Sequence, residues 1–176
     1  GHILSYGGYH FEVKLLKGHT FGQCGLYEPE KKLMFVGDQL MTTIVPIVGT
    51  QETDLGMLKC YLNSLGDLKH NYKDCYFLPC HYGEIKNVEK EVNRIILGYL
   101  EKCEIMKHVL EEAGTALTTR DIGVRTYGRS QGPPDYAHFA SCTQIWAKTF
   151  SCMEYMMGEG FVERSERDGI LYWKAI

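Results

Sequence analysis

Three residues of metal-ligating type stand where β-type runs stop. His19 lies in the turn Gly18-His19-Thr20-Phe21-Gly22, Asp38 follows Gly37, and His81 lies in Pro79-Cys80-His81-Tyr82-Gly83. Neutral imidazole and carboxylate hold the divalent ions that activate water, and a carboxylate bridges where there are two ions. Taken singly, each residue is an ordinary turn residue, since an isolated turn histidine is more often solvated or capping a helix. Their shared context is the signal. If the preceding strands are neighbours in one sheet, the three side chains converge on one sheet edge.

The other histidines do not extend the pattern. His70 follows an amphipathic helix and serves its C-terminus, His108 lies within a helix, His138 in a polar loop, and His10 in a strand. No His-x-His-x-Asp-His or His-Glu-x-x-His occurs. The seven cysteines are odd in number and scattered, with no Cys-x-x-Cys pair, which argues against a zinc ribbon and against a disulfide scaffold. Reduced thiols in a cytoplasm fit best, most of them as small buried hydrophobes. No run approaches the roughly 20 apolar residues that span a bilayer, and no signal pattern opens the chain, so no membrane role is expected.

The elements that must position these residues follow from periodicity. Tyr9 to Leu16, "YHFEVKLL", reads as a strand, and "QCGLYE" and "KLMFVG" form a hairpin about Glu28-Pro29-Glu30-Lys31. "MTTIVPIVGT" reads as a loop or edge strand because of Pro46. Leucines at spacings of three and four predict a helix over Thr53 to Leu68, and "DCYFLP" a short buried strand. Val88, Val92, Tyr99, Cys103, Met106 and Leu110 mark a long helix that Gly98 could break, with Gly114 as its cap. Thr118-x-x-Asp121 reads as a capping-box start, and "YGRSQGPP" (Tyr127 to Pro134) as a loop. A last helix, Ser141 to Met157, carries Trp146, Phe150, Met153 and Met157 on one face, expected to be buried. "FVERSERDGILYWKA" then makes a hairpin about Arg167-Asp168-Gly169.

"GHTFGQCGLYEPEKKLMFVGDQL" resembles the metallo-β-lactamase superfamily pattern of a Gly-His-Thr-x-Gly turn, a hairpin and an apolar strand ending in Gly-Asp. "DCYFLPCHYG" is similar to its later strand ending in Pro-Gly-His-Gly. The resemblance covers roughly Tyr9 to Glu84 and implies an α/β fold. That fold would be the second half of a metallo-β-lactamase-like αββα sandwich over residues 1–86, with a linker helix and an α+β winged-helix domain over 87–176. Among relatives with such a tail are glyoxalase-II-like hydrolases and an RNA-cleaving group.

By the same resemblance, His19 completes the first metal site, Asp38 bridges both ions, and His81 serves the second. Two zinc ions are implied, with iron or manganese as substitutes. The reaction implied is hydrolysis of a thioester, ester or phosphodiester by a shared hydroxide, with no catalytic side chain beyond it. The departures are as specific as the matches. The superfamily's His-x-His-x-Asp-His is absent, Cys80 replaces the glycine before the late histidine, and Phe21 replaces a proline. Three accounts follow: a fragment of a full hydrolase, a chain completed by another polypeptide or a second copy, or a degenerate member. The first is favoured because His19, Asp38 and His81 all keep ligand types, and the chain alone is then expected to be inactive.

Charge restricts partners. The net charge is −3, with 10 basic against 11 acidic residues up to residue 100 and 9 against 11 after it. Neither half has the basic footprint of a nucleic-acid binder. The candidate recognition helix, Ser141 to Met157, has Lys148 and no arginine, so duplex DNA is not the expected partner. A small molecule or single-stranded RNA suits the hydrolase reading. The rival is a metal-free winged-helix interaction or regulatory module.

Overall fold

A computed structural model describes residues 1–48, 56–128 and 136–176, with the backbone alone for 136–140. The chain divides into two compact units, Gly1–Gly49 with Lys59–Gly98, and Thr50–Leu58 with Tyr99–Ile176.

The first unit is built on a five-stranded sheet in the order β1-β2-β3-β4-β5. Its strands are β1 (Ile3–Tyr6), β2 (Tyr9–Leu15), β3 (Cys24–Glu28), β4 (Leu33–Gly37) and β5 (Tyr76–Pro79). The first four run antiparallel through short turns. β5 returns parallel to β4 after helix α1 (Met57–Asn71), as a parallel neighbour requires a crossover. The expected meander and late strand are therefore present. β1 was not expected, and its four exposed residues lack the alternation that would have marked it. The helix expected from Thr53 is described from Met57, and residues 53–55 lie outside the described part. Residues 41–48 are a loop without strand, as one reading of Pro46 required.

Pairing register divides the sheet into two faces. Met34, Val36 and Phe77 point to one and are fully buried, together with Tyr61, Leu65 and Leu68 of α1 and Val92 and Ile95 of helix α2 (Val88–Ala113). Lys69 Nζ donates to Asn93 Oδ1 at 3.0 Å, tying the two helices. The other face carries the row Val13, Leu26, Phe35 and Leu78, in register across four strands, and Leu4 opposite Phe11. None of these six is buried, Leu4 is 51% exposed and Phe35 39%. Phe11 meets Phe35 edge-on with centroids 5.9 Å apart, so the open face is a continuous apolar surface.

In the second unit, α2 continues unbroken past Gly98 to the Gly114 cap, whose N–H donates to Leu110 O at 3.2 Å. Gly98 costs helix propensity, but a single glycine in a 26-residue helix is outweighed by the burial of Ile95, Tyr99 and Cys103 around it. The two residues of β6 (Leu117–Thr118) precede α3 (Thr119–Tyr127), and Thr118 Oγ1 caps Asp121 N–H at 3.1 Å as expected. The loop expected over Tyr127 to Pro134 falls mostly outside the described residues. Tyr127 itself ends α3, and Gly128 caps it in the left-handed region.

Helix α4 (Tyr136–Gly158) starts five residues before the expected Ser141, so the backbone of His138 is helical and not looped. Its packing stripe also differs. Trp146 is 36% exposed and Phe150 half-buried, whereas Thr149, Cys152, Met153 and Met156 are buried. Helix α3 approaches this other stripe closely through Gly123, where a Cβ would lie 3.0 Å from Thr149 Oγ1 and 3.1 Å from Ile145 Cγ2. Strands β7 (Val162–Arg167) and β8 (Ile170–Ala175) turn at Asp168-Gly169, both at positive φ, and the sheet runs β6-β8-β7.

Trp173 on β8 is fully buried, stacks edge-on to Phe150 and donates its indole N–H to Thr119 Oγ1 at 2.9 Å. Trp173→Ala is expected to cost about 3–5 kcal/mol, and Trp146→Ala about 0.5 kcal/mol or less. Urea unfolding followed by far-ultraviolet circular dichroism measures both.

Candidate metal centre

The three residues read from the sequence meet at one end of the five-stranded sheet. β2 ends there, β3 begins there, and the parallel pair β4 and β5 both finish there. Asp38 follows the last residue of β4, and Cys80 N–H donates to Gly37 O at 3.2 Å, which places His81 beside it. Each oxygen of Asp38 faces a different imidazole. Oδ2 lies 3.8 Å from His19 Nε2, and Oδ1 lies 3.6 Å from His81 Nε2.

The other nitrogen of His19 is committed to the backbone. Nδ1 lies 2.7 Å from Ile47 O, and a carbonyl can only accept, so Nδ1 carries the proton. In the neutral ring Nε2 then presents a lone pair to Asp38, an arrangement that suits a metal ligand. The loop that leads to Ile47 is tied upstream of it. Arg94 Nη2 donates to Met41 O at 2.7 Å and to Ile44 O at 3.2 Å, while its Nε pairs with Glu91 at 2.8 Å. A helix arginine thus pins the loop whose carbonyl orients His19.

Both gaps are too long for hydrogen bonds, and Asp38 Oδ1 is a buried oxygen with no hydrogen-bond partner. An unpartnered buried carboxylate oxygen such as Oδ1 is costly, and a lone pair on neutral His19 would repel Oδ2. A cation between the groups relieves both. Ligand bonds of about 2.0–2.2 Å place neighbouring donors about 3.4 Å apart around a tetrahedral ion, so the observed gaps need close by only a few tenths of an ångström. The residues present therefore fit divalent ions, one on each side of Asp38. They do not complete them. Among the described residues, no group of three or more His, Cys, Asp or Glu side chains could hold a metal ion, because each side of Asp38 gathers only one imidazole and one oxygen.

Cys80 does not join the ligands by any contact. Its thiol is exposed, as is that of Cys24, and only Cys103 and Cys152 of the seven are buried. The expectation that most cysteines are buried is thus corrected: Cys24 opens β3 and Cys80 follows β5, both at the rim of the sheet, and Cys60, Cys75 and Cys142 are half-buried. His70 Nδ1 bonds Gly66 O at 2.7 Å near the C-terminus of α1, as expected. His108 pairs with Glu111 at 3.0 Å, which raises the imidazole pKa and lowers that of the carboxyl. Gln39, fully buried beside Asp38, was not singled out from the sequence. A single amide has no spacing signature.

The whole chain overlays on solved structures. A metallo-β-lactamase family protein of Thermus thermophilus matches 99% of this chain and 52% of its own, with a TM-score of 0.80 and 22% identity. A β-lactamase domain protein of Burkholderia ambifaria matches 100% and 51%, with a TM-score of 0.82 and 18% identity. The fold is metallo-β-lactamase-like. Hydroxyacylglutathione hydrolase GloC of Haemophilus influenzae is 50% identical over 40 residues, 23% of this chain and 19% of that protein. The resemblance to the superfamily read in the residues therefore holds. This metallo-β-lactamase-like chain spans about half the length of the structures it matches and a fifth of the curated relative. No known family profile matches it. Among the described residues, no helix is long and apolar enough to cross a membrane.

Gly18, before His19, has φ +150°, and a Cβ on it would run into Tyr61 of α1, within 2.7 Å of its Cα. The turn can sit on α1 only without a side chain there. Gly18→Ala should cost about 1–3 kcal/mol, whereas Gly22→Ala, with nothing within 4 Å of its Cβ, should change stability by about 0.5 kcal/mol or less. Thermal unfolding of the two variants tests this.

Proposed function

We propose that this chain supplies one half of a two-metal hydrolytic centre. Asp38 bridges two ions, His19 ligates one and His81 the other. The observation that carries the reading is the Asp38 carboxylate. It presents one oxygen to each imidazole and keeps Oδ1 buried and unpartnered. When bound, such ions acidify a water and polarise the scissile carbonyl or phosphoryl group. The chain's own part is positional. The Ile47 carbonyl fixes the His19 tautomer, and the parallel strand ends hold Asp38 and His81 side by side. His81, 62% exposed in its side chain, is the ligand on the open side where a substrate would enter.

A thioester is the favoured substrate class, supported by the short match to a hydrolase named for hydroxyacyl-glutathione. Zinc is the favoured metal, by the imidazole and carboxylate donors. Seven free thiols suit a reducing, cytoplasmic setting. The helices α3 and α4 with the β6-β8-β7 sheet support a winged-helix reading of the tail.

Two features of the first unit support a missing half. Each proposed ion has too few donors, and one face of the sheet is apolar and open. Both are remedied by a second sheet-bearing segment laid over Leu4, Phe11, Leu26 and Phe35 that brings further ligands. The matched structures, about twice as long over the same fold, support this.

Zinc binding to the 176-residue chain should be weak and removed by dialysis, with Asp38→Ala abolishing it in calorimetric titration. Stoichiometric zinc after dialysis, with thioester turnover lost in Asp38→Ala, would show instead that the site is complete. In sedimentation velocity the chain should self-associate as concentration rises, because its apolar face has no cover. A stable monomer at all concentrations would overturn the missing-half reading.

A further inference from the structure

We propose that Gln39 is the positioning residue of this centre, setting the separation of His19 and Asp38. The inference rests on the metal reading above. Gln39 directly follows Asp38 and is fully buried, and every polar atom of its side chain and backbone has a partner within the first unit. Its Oε1 accepts the His19 backbone N–H at 3.3 Å, and its Nε2 donates to Lys17 O at 3.2 Å and to Ser64 Oγ at 3.0 Å. Its backbone N–H donates to Val36 O at 3.1 Å, and its carbonyl accepts the Tyr61 hydroxyl at 2.8 Å.

The arrangement has a specific consequence. One amide holds the residues on both sides of Gly18, bracketing the turn that carries His19. The same residue is covalently joined to Asp38 and anchored to α1 through Ser64 and Tyr61. The imidazole on one chain segment and the carboxylate on another therefore move as a single body. A leucine would fill the same volume without burying an amide, and a buried amide adds stability only when fully paired. What the amide adds over an apolar side chain is direction: it fixes two backbone groups of the turn relative to Asp38. The Ile47 carbonyl then fixes rotation of the His19 ring, so turn position and ring orientation are set by separate contacts.

The test uses the full chain with cobalt(II) as the probe, titrated to millimolar concentration and read by visible absorption. Amide hydrogen exchange is followed without metal, and melting temperature is recorded for each variant. Gln39→Met keeps length and volume but removes the amide. It should weaken cobalt binding about tenfold to a hundredfold and alter the absorption bands. It should also speed exchange at the His19 amide while the β4 amides stay protected. Asp38→Ala should abolish the cobalt spectrum. If Gln39→Met binds cobalt like the unmodified chain while Asp38→Ala does not, the positioning role is overturned and the metal reading stands. If the unmodified chain gives no cobalt spectrum, both fall. Should Gln39→Met fail to fold, Ser64→Ala removes one bond of the set and should weaken cobalt about fivefold, the worth of one neutral hydrogen bond. Unchanged affinity in Ser64→Ala would then overturn the role.

Discussion

A carboxylate set between two imidazoles, one oxygen toward each, is the constraint around which this end of the first unit is organised. Asp38 has only acceptor oxygens when ionised, and His19 turns Nε2 toward it because Nδ1 is committed to Ile47 O. A buried carboxylate oxygen is normally hydrogen-bonded, whereas Asp38 Oδ1 has no such partner. Each flank of the carboxylate is tied elsewhere. Arg94 holds the loop that carries Ile47, Gln39 holds the turn that carries His19, and pairing of β4 with β5 holds the segment that carries His81. Three separate ties thus bear on one small cluster of side chains.

The sheet topology explains why residues so far apart in sequence meet. A parallel pair ends both its strands at the same edge, so the chain leaving β4 and the chain leaving β5 emerge together. The turn after β2 reaches that edge from the antiparallel side. Gly18 lets the turn lie against α1, and Gly37, at φ +57°, bends the chain so that Asp38 leaves the strand direction. Three local solutions, each modest, produce one cluster.

Much of this was legible in the residues. Glycine next to His19 and Asp38, and apolar runs before them, marked strand ends, and the hairpins at Glu28–Lys31 and Asp168-Gly169 were readable from turn chemistry. What escaped was encoded in contacts rather than in pattern. β1 has no buried face and so no alternation, and β6 is two residues long. The stripe of α4 differs from the one residue size suggests, and the close approach at Thr149 is made by a glycine on another helix, α3. Gln39 and the Ile47 carbonyl are an amide and a backbone group, chemistries present at almost every position, so only geometry distinguishes them.

The two faces of the sheet carry the remaining argument. Met34, Val36 and Phe77 are sealed, while Phe35, between Met34 and Val36 on the same strand, is 39% exposed. Strand alternation requires a residue at that position to face away from the helices, but it does not require an aromatic one. A face meant for water would carry polar side chains at Leu4, Phe11, Leu26 and Phe35, and β-propensity could be met by threonine at no cost in solubility. Apolar residues in register across the strands instead suit the proposed second sheet, which would pack about 10 Å away. The proposed metal centre lies at the end of that same sheet, so whatever covers the open face also arrives beside Asp38. If the proposed missing half exists, closing the core and completing the ligand set would be one event.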